Sequence, residues 1–540
     1  MSEMATSDSG WWRDAVVYQV YVRSFADGNG DGTGDIAGLR DRLGYLEELG
    51  VDALWVNPWY QSPLRDGGYD VADYRKIDPR FGTVDEVELL IGEAHERGIR
   101  IIADLVPNHT SSDHEWFQEA LASAPGSEAR KRYHFLDGAG DGSEPPNNWT
   151  AVFGGSAWEQ VGDGQYYLHL FDPSQPDLNW ENEQVRSEFD DVMRFWLDRG
   201  IDGFRIDVAH GLVKDPDFPD VEKAGVILEA DTSENHPFWD QDGVHEINRR
   251  WRSLVDGYDD RMMVAEAWVS AERLPLYLRK DEYHQSFNFD LLEAKWDAAE
   301  FAEIIERSVS AGEKVGAPST WVLSNHDVMR HATRYGLPQD TNWRKWPMEG
   351  PAGDLDVALG QRRARAAGMI TLALPGSTYV YQGEELGLPE VWDLPTDVLD
   401  DPTWERSGHT EKGRDGARVP LPWEAEGPSL GFGAAAPWLP QPPQFSDFAA
   451  AQQSEDEDSM LHLYRAAIAH RRKLFTPGLA FEIAPVLGEV LRFTHGSVTV
   501  LANMANRPIE FDAASILLAS EKIDEKTLPV DACVWIIAEE

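Results

Sequence analysis

The chain has 540 residues, with 95 Asp and Glu against 48 Lys and Arg, a formal charge of −47. That balance argues against nucleic-acid backbones and anionic membranes as partners, since both are gripped by clustered Lys and Arg. Most of the acidic excess reads as a solvated surface, which suits a neutral or cationic partner. With 42% hydrophobic and 11% aromatic residues there is material for a sizeable core, and the length predicts more than one domain. A single cysteine, Cys533, excludes an internal disulfide framework and a cysteine-cluster metal site. The start, 1–10 (MSEMATSDSG), shows no leader pattern, and the longest apolar run, 368–383, is broken by Pro375, Gly376, Ser377 and Gln382. A cytoplasmic protein without a membrane partner is therefore expected.

Eight short runs rich in β-branched and aromatic residues follow in chain order. They are 15–25, 53–60, 100–109, 203–209, 262–268, 286–291, 320–327 and 377–383. Helix-like segments such as 36–49 and 84–97 lie between them. Near-continuous apolar strands alternating with helices indicate a buried parallel sheet. Eight such units over this length predict an α/β fold, a (β/α)8 TIM barrel. Periodicity alone does not separate it from a doubly wound sheet.

Two stretches interrupt the alternation. The first, 110–182, follows the third strand, is rich in Gly, Asp, Pro and Trp, and contains a strand candidate at 165–171; it reads as an inserted subdomain. The second, 390–453, follows the eighth strand and contains GFGAAAPWLPQPPQF at 431–445, an ordered but irregular cover or a mobile lid. The barrel then occupies 1–109 and 183–475. Alternation from about residue 479 predicts a C-terminal antiparallel β domain, a sandwich, over 476–540.

Polar residues collect at the carboxyl ends of the predicted strands, where a barrel places its active site. They are Asp104, Asn108 and His109 after strand three, Arg205 and Asp207 on strand four, Glu266 on strand five, and Asn325, His326 and Asp327 on strand seven. One strand-end Asp is more often a helix cap. Several carboxylates with two histidines and an arginine at one mouth are costly to bury unless paired or used. Paired carboxylates beside Trp and Tyr suit glycoside chemistry, one attacking the anomeric carbon and one donating a proton to the leaving oxygen.

The blocks DLVPNH (104–109), GFRIDV (203–208), Glu266, LSNHD (323–327), QPDLN (175–179) and YQGEEL (381–386) carry a family resemblance. With the opening run WWRDAVVYQVYVRSFADGNGDGTGD, the sequence resembles the α-amylase superfamily, glycoside hydrolase family 13, in its oligo-1,6-glucosidase and α-glucosidase branch. The resemblance implies a retaining α-glucosidase acting on a small oligosaccharide. Asp207 would be the nucleophile, Glu266 the acid and then the base, and Asp327 the stabiliser of the transition state. Arg205 would keep the nucleophile ionised; His109 and His326 would bind the terminal glucose; Tyr69 would be its stacking platform. Packing with a satisfied polar tip is the alternative for Tyr69 and the histidines. Asp66 and Arg414 resemble a pair that closes the sugar pocket, or else form an ordinary surface ion pair.

The segment 27–35 sets Asp27, Asn29, Asp31, Thr33 and Asp35 at alternate positions with glycines between. Hard oxygen donors at that spacing suit Ca²⁺. The resemblance implies a structural Ca²⁺, or Mg²⁺, remote from catalysis; an Asx-rich turn accounts for the residues equally well. Val208 accompanies α-1,6 preference in similar enzymes, but Ala209, His210 and Gly211 after it, and Ala267 and Trp268 after the acid, depart from that group. Trp268 is expected to shape the leaving-group side. A transglucosidase, or a trehalose synthase acting on maltose, is the alternative activity, and a monomer or homodimer is expected.

Overall fold

A computed structural model describes residues 10–221, 236–511, 515–523 and 526–537. The run 1–9 read for a leader and the last three residues of the tail lie outside the described residues. Among the described residues, eight strands form one parallel ladder: β1 Val16–Val20, β2 Ala53–Val56, β3 Arg100–Leu105, β4 Gly203–Ile206, β5 Met262–Ala265, β6 Gln285–Ser286, β7 Thr320–Val322 and β8 Ser377–Tyr381. Their order is β6-β5-β4-β3-β2-β1-β8-β7, the sequential winding of a (β/α)8 barrel, with its seam between the two shortest strands, β6 and β7. Seven of the eight predicted runs contain their strand whole; the sixth, 286–291, begins one residue late and holds only Ser286 of β6.

Period-two alternation sorts the strand residues onto two faces. Val17, Ala53, Trp55, Ile102, Met262, Val264, Phe287, Val322 and Tyr379 point inward and fill the barrel. Trp55 and Phe287 lie 5.3 Å apart there, and Phe287 meets Tyr379 edge-on at 4.9 Å. Val16, Tyr18, Leu54, Ile101 and Phe204 face outward against the helices. Helices start where a side chain can take up their first free N–H groups. Thr83 and Glu86 form a reciprocal capping box for Val84–Glu96; Asn182, Asp297, Asp356 and Ser459 cap Glu183–Leu197, Ala298–Val315, Val357–Ala373 and Met460–Leu474.

The 110–182 segment carries a three-stranded antiparallel sheet, Phe135–Asp137, Gln165–Leu168 and Trp158–Gln160, with the middle range in the centre. Its Trp149, Trp158 and Phe171 join Val208, Phe238 and Trp239 in one apolar cluster, so the insertion packs on the chain that leaves β4. A sealed ion pair, Lys214 Nζ to Asp177 Oδ2 at 2.8 Å, pins the same junction. The 390–453 segment is a cover of turns, short 3-10 stretches and the brief helix Pro402–Arg406, running into a second helix, Ala450–Glu455. Beyond Met460–Leu474, a five-stranded antiparallel sheet and a two-stranded one form the C-terminal part. Its strand Ala532–Ile537 lies on Val357–Ala373, where Trp535 donates to the Met369 carbonyl at 3.2 Å.

Candidate active site

Arg205 stands at the centre of the polar mouth. Residues two apart on a strand share a face, so Arg205 and Asp207 both turn to the barrel axis. Arg205 Nη1 donates to Asp207 Oδ1 at 2.5 Å and to Asp104 Oδ1 at 2.9 Å, and Nη2 donates to Glu266 Oε2 at 2.6 Å. One guanidinium from β4 thus collects carboxylates from the ends of β3, β4 and β5. The Val208 N–H also donates to Glu266 Oε2, at 3.1 Å. Val208 reaches that position at φ +46°, a left-handed conformation costing a β-branched residue about 1–3 kcal/mol. The strained turn right after Asp207 is how the chain brings its N–H onto the second carboxyl.

Burial raises the Asp207 carboxyl well above its ordinary range and Asp104 to about 6, with Arg205 opposing both. Three carboxylates share one cation there, so ionising all of them out of water is costly. Asp207 and Glu266 are bound by the two terminal nitrogens of one guanidinium, so their carboxyls are neighbours. Asp327 behaves oppositely. Burial alone would raise it, yet it is held below the usual carboxylate range by its cationic surroundings. Because burial keeps the His326 ring neutral, the arginines carry that effect. Arg414 Nη1 reaches Asp327 Oδ1 at 3.0 Å and Arg418 Nη2 reaches the same oxygen at 3.1 Å.

Arg414 Nη2 also donates to Asp66 Oδ1 at 2.6 Å, with Asp66 nearly sealed from solvent. Asp66 and Arg414 are therefore a buried clamp, and the surface-pair alternative does not hold. Arg414 is itself fixed by Asp401, which also lies 3.7 Å from Arg418. Tyr69 lies parallel to the His326 ring, 5.1 Å between centroids and 9° between planes. Its hydroxyl donates to Asp104 Oδ2 at 2.9 Å and accepts from Asn57 at 2.7 Å. His326 Nδ1 contacts Gln19 at 2.8 Å, and His109 lies 3.2 Å from both the Tyr69 carbonyl and Gln175. Gln175 in turn donates to Asp66 Oδ2 at 2.9 Å.

These groups surround a cavity of about 390 Å³. Asp66, Tyr69, His109, Asp207, Glu266, Asp327 and Arg414 line it; Arg205 and His326 stand behind the lining. Val152, Phe153, Phe171, Val208 and Met329 form its apolar wall. All nine candidate catalytic and substrate residues thus converge on one place. Sequence reasoning placed Asp104 at the mouth without a role, and passed over Gln175, which lies in the QPDLN block, and Arg418. Gln19 lies in the opening run and Asn57 in the predicted strand run 53–60, but neither was given a role, and Asp401 had no signal. Trp268, expected on the leaving-group side, does not line this cavity; it turns instead to a neighbouring one of about 80 Å³.

Asp27, Asn29, Asp31, Thr33 and Asp35 share one tight loop between β1 and the helix Ile36–Asp41. Asp27 accepts the N–H groups of Gly30 at 2.6 Å and Gly32 at 2.9 Å; Asp35 accepts those of Gly28, Asn29 and Gly38 and caps the helix. Asn29 and Asp31 each accept an N–H two residues on, at 2.9 Å. Among the described residues no group of three His, Cys, Asp or Glu side chains converges at metal-holding distance. The donors are all oxygen, as a hard cation requires, and the backbone turns already engage them. The irregular cover lies over this loop, with Trp438 N–H on the Gly32 carbonyl at 2.9 Å.

A family model for the α-amylase catalytic domain matches residues 19–477. The chain is 36% identical to an oligo-1,6-glucosidase of Heyndrickxia coagulans, with 93% of each protein covered. It is 37% identical to a probable alpha-glucosidase of Rhizobium meliloti (strain 1021), covering 94% of this chain and 91% of that one. Among solved structures, an alpha-glucosyl transfer enzyme, XgtA, superposes with a TM-score of 0.84 at 33% identity, over 98% of this chain and 99% of that one.

Proposed function

The chain belongs to the α-amylase family of glycoside hydrolases, and from that premise we propose a retaining α-glucosidase that releases glucose from the non-reducing end of short α-glucosides. The observation that carries the proposal is the shared grip of Arg205 on Asp207 and Glu266. Carboxyls held on one guanidinium stand close together, which suits double displacement; inverting enzymes separate theirs by about 6.5–9.5 Å. Asp207 attacks the anomeric carbon while Glu266 protonates the leaving oxygen. Glu266 then takes a proton from water, which opens the glucosyl ester with the α configuration kept. Asp327, kept ionised by two arginines, binds sugar hydroxyls as positive charge builds at the anomeric carbon.

The Asp66–Arg414–Asp327 clamp supports action from the chain end. It spans one side of the cavity, which supports a reading in which a single glucosyl unit is held beyond the scissile bond. Maltose-type α-1,4 bonds are the favoured substrates, with α-1,6 bonds also accommodated. Glucosyl transfer, including maltose isomerisation to trehalose, is the second reading, favoured by the apolar wall above the carboxylates. A wall that sheds water slows hydrolysis of the intermediate and favours an alcohol acceptor. A structural Ca²⁺, or Mg²⁺, held by the 27–35 loop, and a cytoplasmic location complete the proposal. The decisive experiment is turnover of an aryl α-glucoside and of a panel of maltose, isomaltose, sucrose and trehalose, with products followed by NMR. Normal turnover by Asp207→Asn would overturn the mechanism; trehalose as the main product from maltose would replace hydrolysis by transfer.

A further inference from the structure

We propose that Trp268 is a positioning residue for the acid Glu266. The inference rests on the glycosidase reading and adds to it. The two oxygens of Glu266 are held differently. Oε2 takes hydrogen bonds from Arg205 at 2.6 Å and from the Val208 N–H at 3.1 Å. Oε1 receives, among the described residues, a single donor, the Trp268 indole N–H at 3.1 Å. Oε1 is thus the oxygen with a lone pair left to carry the proton toward the leaving group.

Trp268 is well built to hold that oxygen. Its ring lies on Phe289 with 3.7 Å between centroids and 5° between planes, and Phe289 packs in turn on Phe287 of the barrel interior at 5.8 Å. Trp268 is 8% exposed, so the indole is wedged and its N–H direction is fixed. Glu266 itself sits at the end of β5 with Oε2 already anchored, so the direction of Oε1 is what remains to be fixed by a donor on that side. An N–H donor at Oε1 does two things. It fixes that direction, and its hydrogen bond strengthens as Glu266 gives up its proton and gains charge. Both effects act on proton donation to the leaving oxygen and neither acts on attack by Asp207.

That separation supplies the test. Two α-glucosides are compared by kcat/KM, which reports the first displacement: 2,4-dinitrophenyl α-glucoside, whose leaving group needs no proton, and methyl α-glucoside or maltose, whose leaving groups do. Trp268→Phe keeps the flat ring and its stack but removes the N–H. The expected result is a loss of roughly ten- to a hundred-fold on methyl α-glucoside and maltose, with the dinitrophenyl substrate changed by less than about threefold. Trp268→His, which restores a ring N–H, recovers part of the loss. Phe289→Leu, which loosens the stack while keeping the indole, gives a smaller loss with the same dependence on leaving group. An equal loss on both substrates, or none on either, would overturn the proposal. If wild-type protein turned over neither substrate, the glycosidase reading itself would fall, a distinguishable outcome.

Discussion

Arg414 and Asp327, 87 positions apart in sequence, meet at 3.0 Å, and the same guanidinium closes on Asp66 at 2.6 Å. This clamp joins the cover after β8 to the end of β7 and to the loop after β2. It crosses one side of the cavity proposed to hold the sugar, and it holds Asp327 ionised while burial raises Asp207.

Removing the clamp opens the pocket without touching the reacting pair. Arg414→Ala leaves Asp66 and Asp327 buried with less cationic support, so KM for maltose rises about tenfold or more while kcat falls less. Steady-state kinetics on maltose and on longer maltooligosaccharides check this, and longer chains are expected to lose their disadvantage as the sealed end opens.

Arg205 is more costly to lose. Arg205→Met strips the shared cation from three carboxylates, and kcat falls by roughly a thousandfold or more. The remaining acids draw protons more strongly, so the nucleophile ionises only at higher pH. The acidic limb of the pH–rate profile is expected to move upward; an unmoved limb would mean Arg205 does not tune Asp207.

Stability should fall on the alkaline side through a group that does not line the cavity. Glu384, sealed beside Tyr464 whose hydroxyl donates to it at 2.9 Å, is pushed up to about 8 by burial. A raised acid is protonated in the fold and ionises on unfolding. Its contribution is therefore full below its ordinary value of 4.5 and is lost as pH climbs toward about 8. Thermal melts between pH 5 and 9 should decline by roughly a few degrees, and Glu384→Gln should flatten that decline.

The ion pair under the inserted subdomain gives a further test. Lys214→Met leaves Asp177 charged, buried and unpaired, at a cost of about 3–5 kcal/mol. Chemical denaturation checks the magnitude, and the double variant Lys214→Met with Asp177→Leu is expected to recover much of it.

If the 27–35 loop holds a cation, Ca²⁺ should raise the melting temperature and chelation should lower it, with activity below the transition unchanged. Melting curves with and without chelator, repeated on Asp31→Ala, check this. A melt indifferent to both would leave the loop as a set of backbone-capping Asx turns.

The sequence by itself determined where the strands and helices of the barrel lie, because period-two alternation and helix caps are local, whereas the ladder order that separates a barrel from a doubly wound sheet is a tertiary fact. It also determined which carboxylates face the mouth, since the end of a strand is fixed by the strand. Asp207 beside Arg205 is legible for that reason. Tertiary structure alone decided the rest. Asp401 beside Arg414, Gln175 beside Asp66 and Trp268 on Phe289 depend on which irregular segments fold back over the mouth, and such segments carry no period to read. The same packing decides charge. An acidic side chain in a sequence of net −47 is ionised by default; only burial and the distance to a guanidinium make Asp327 a fixed anion and Glu384 an acid that keeps its proton.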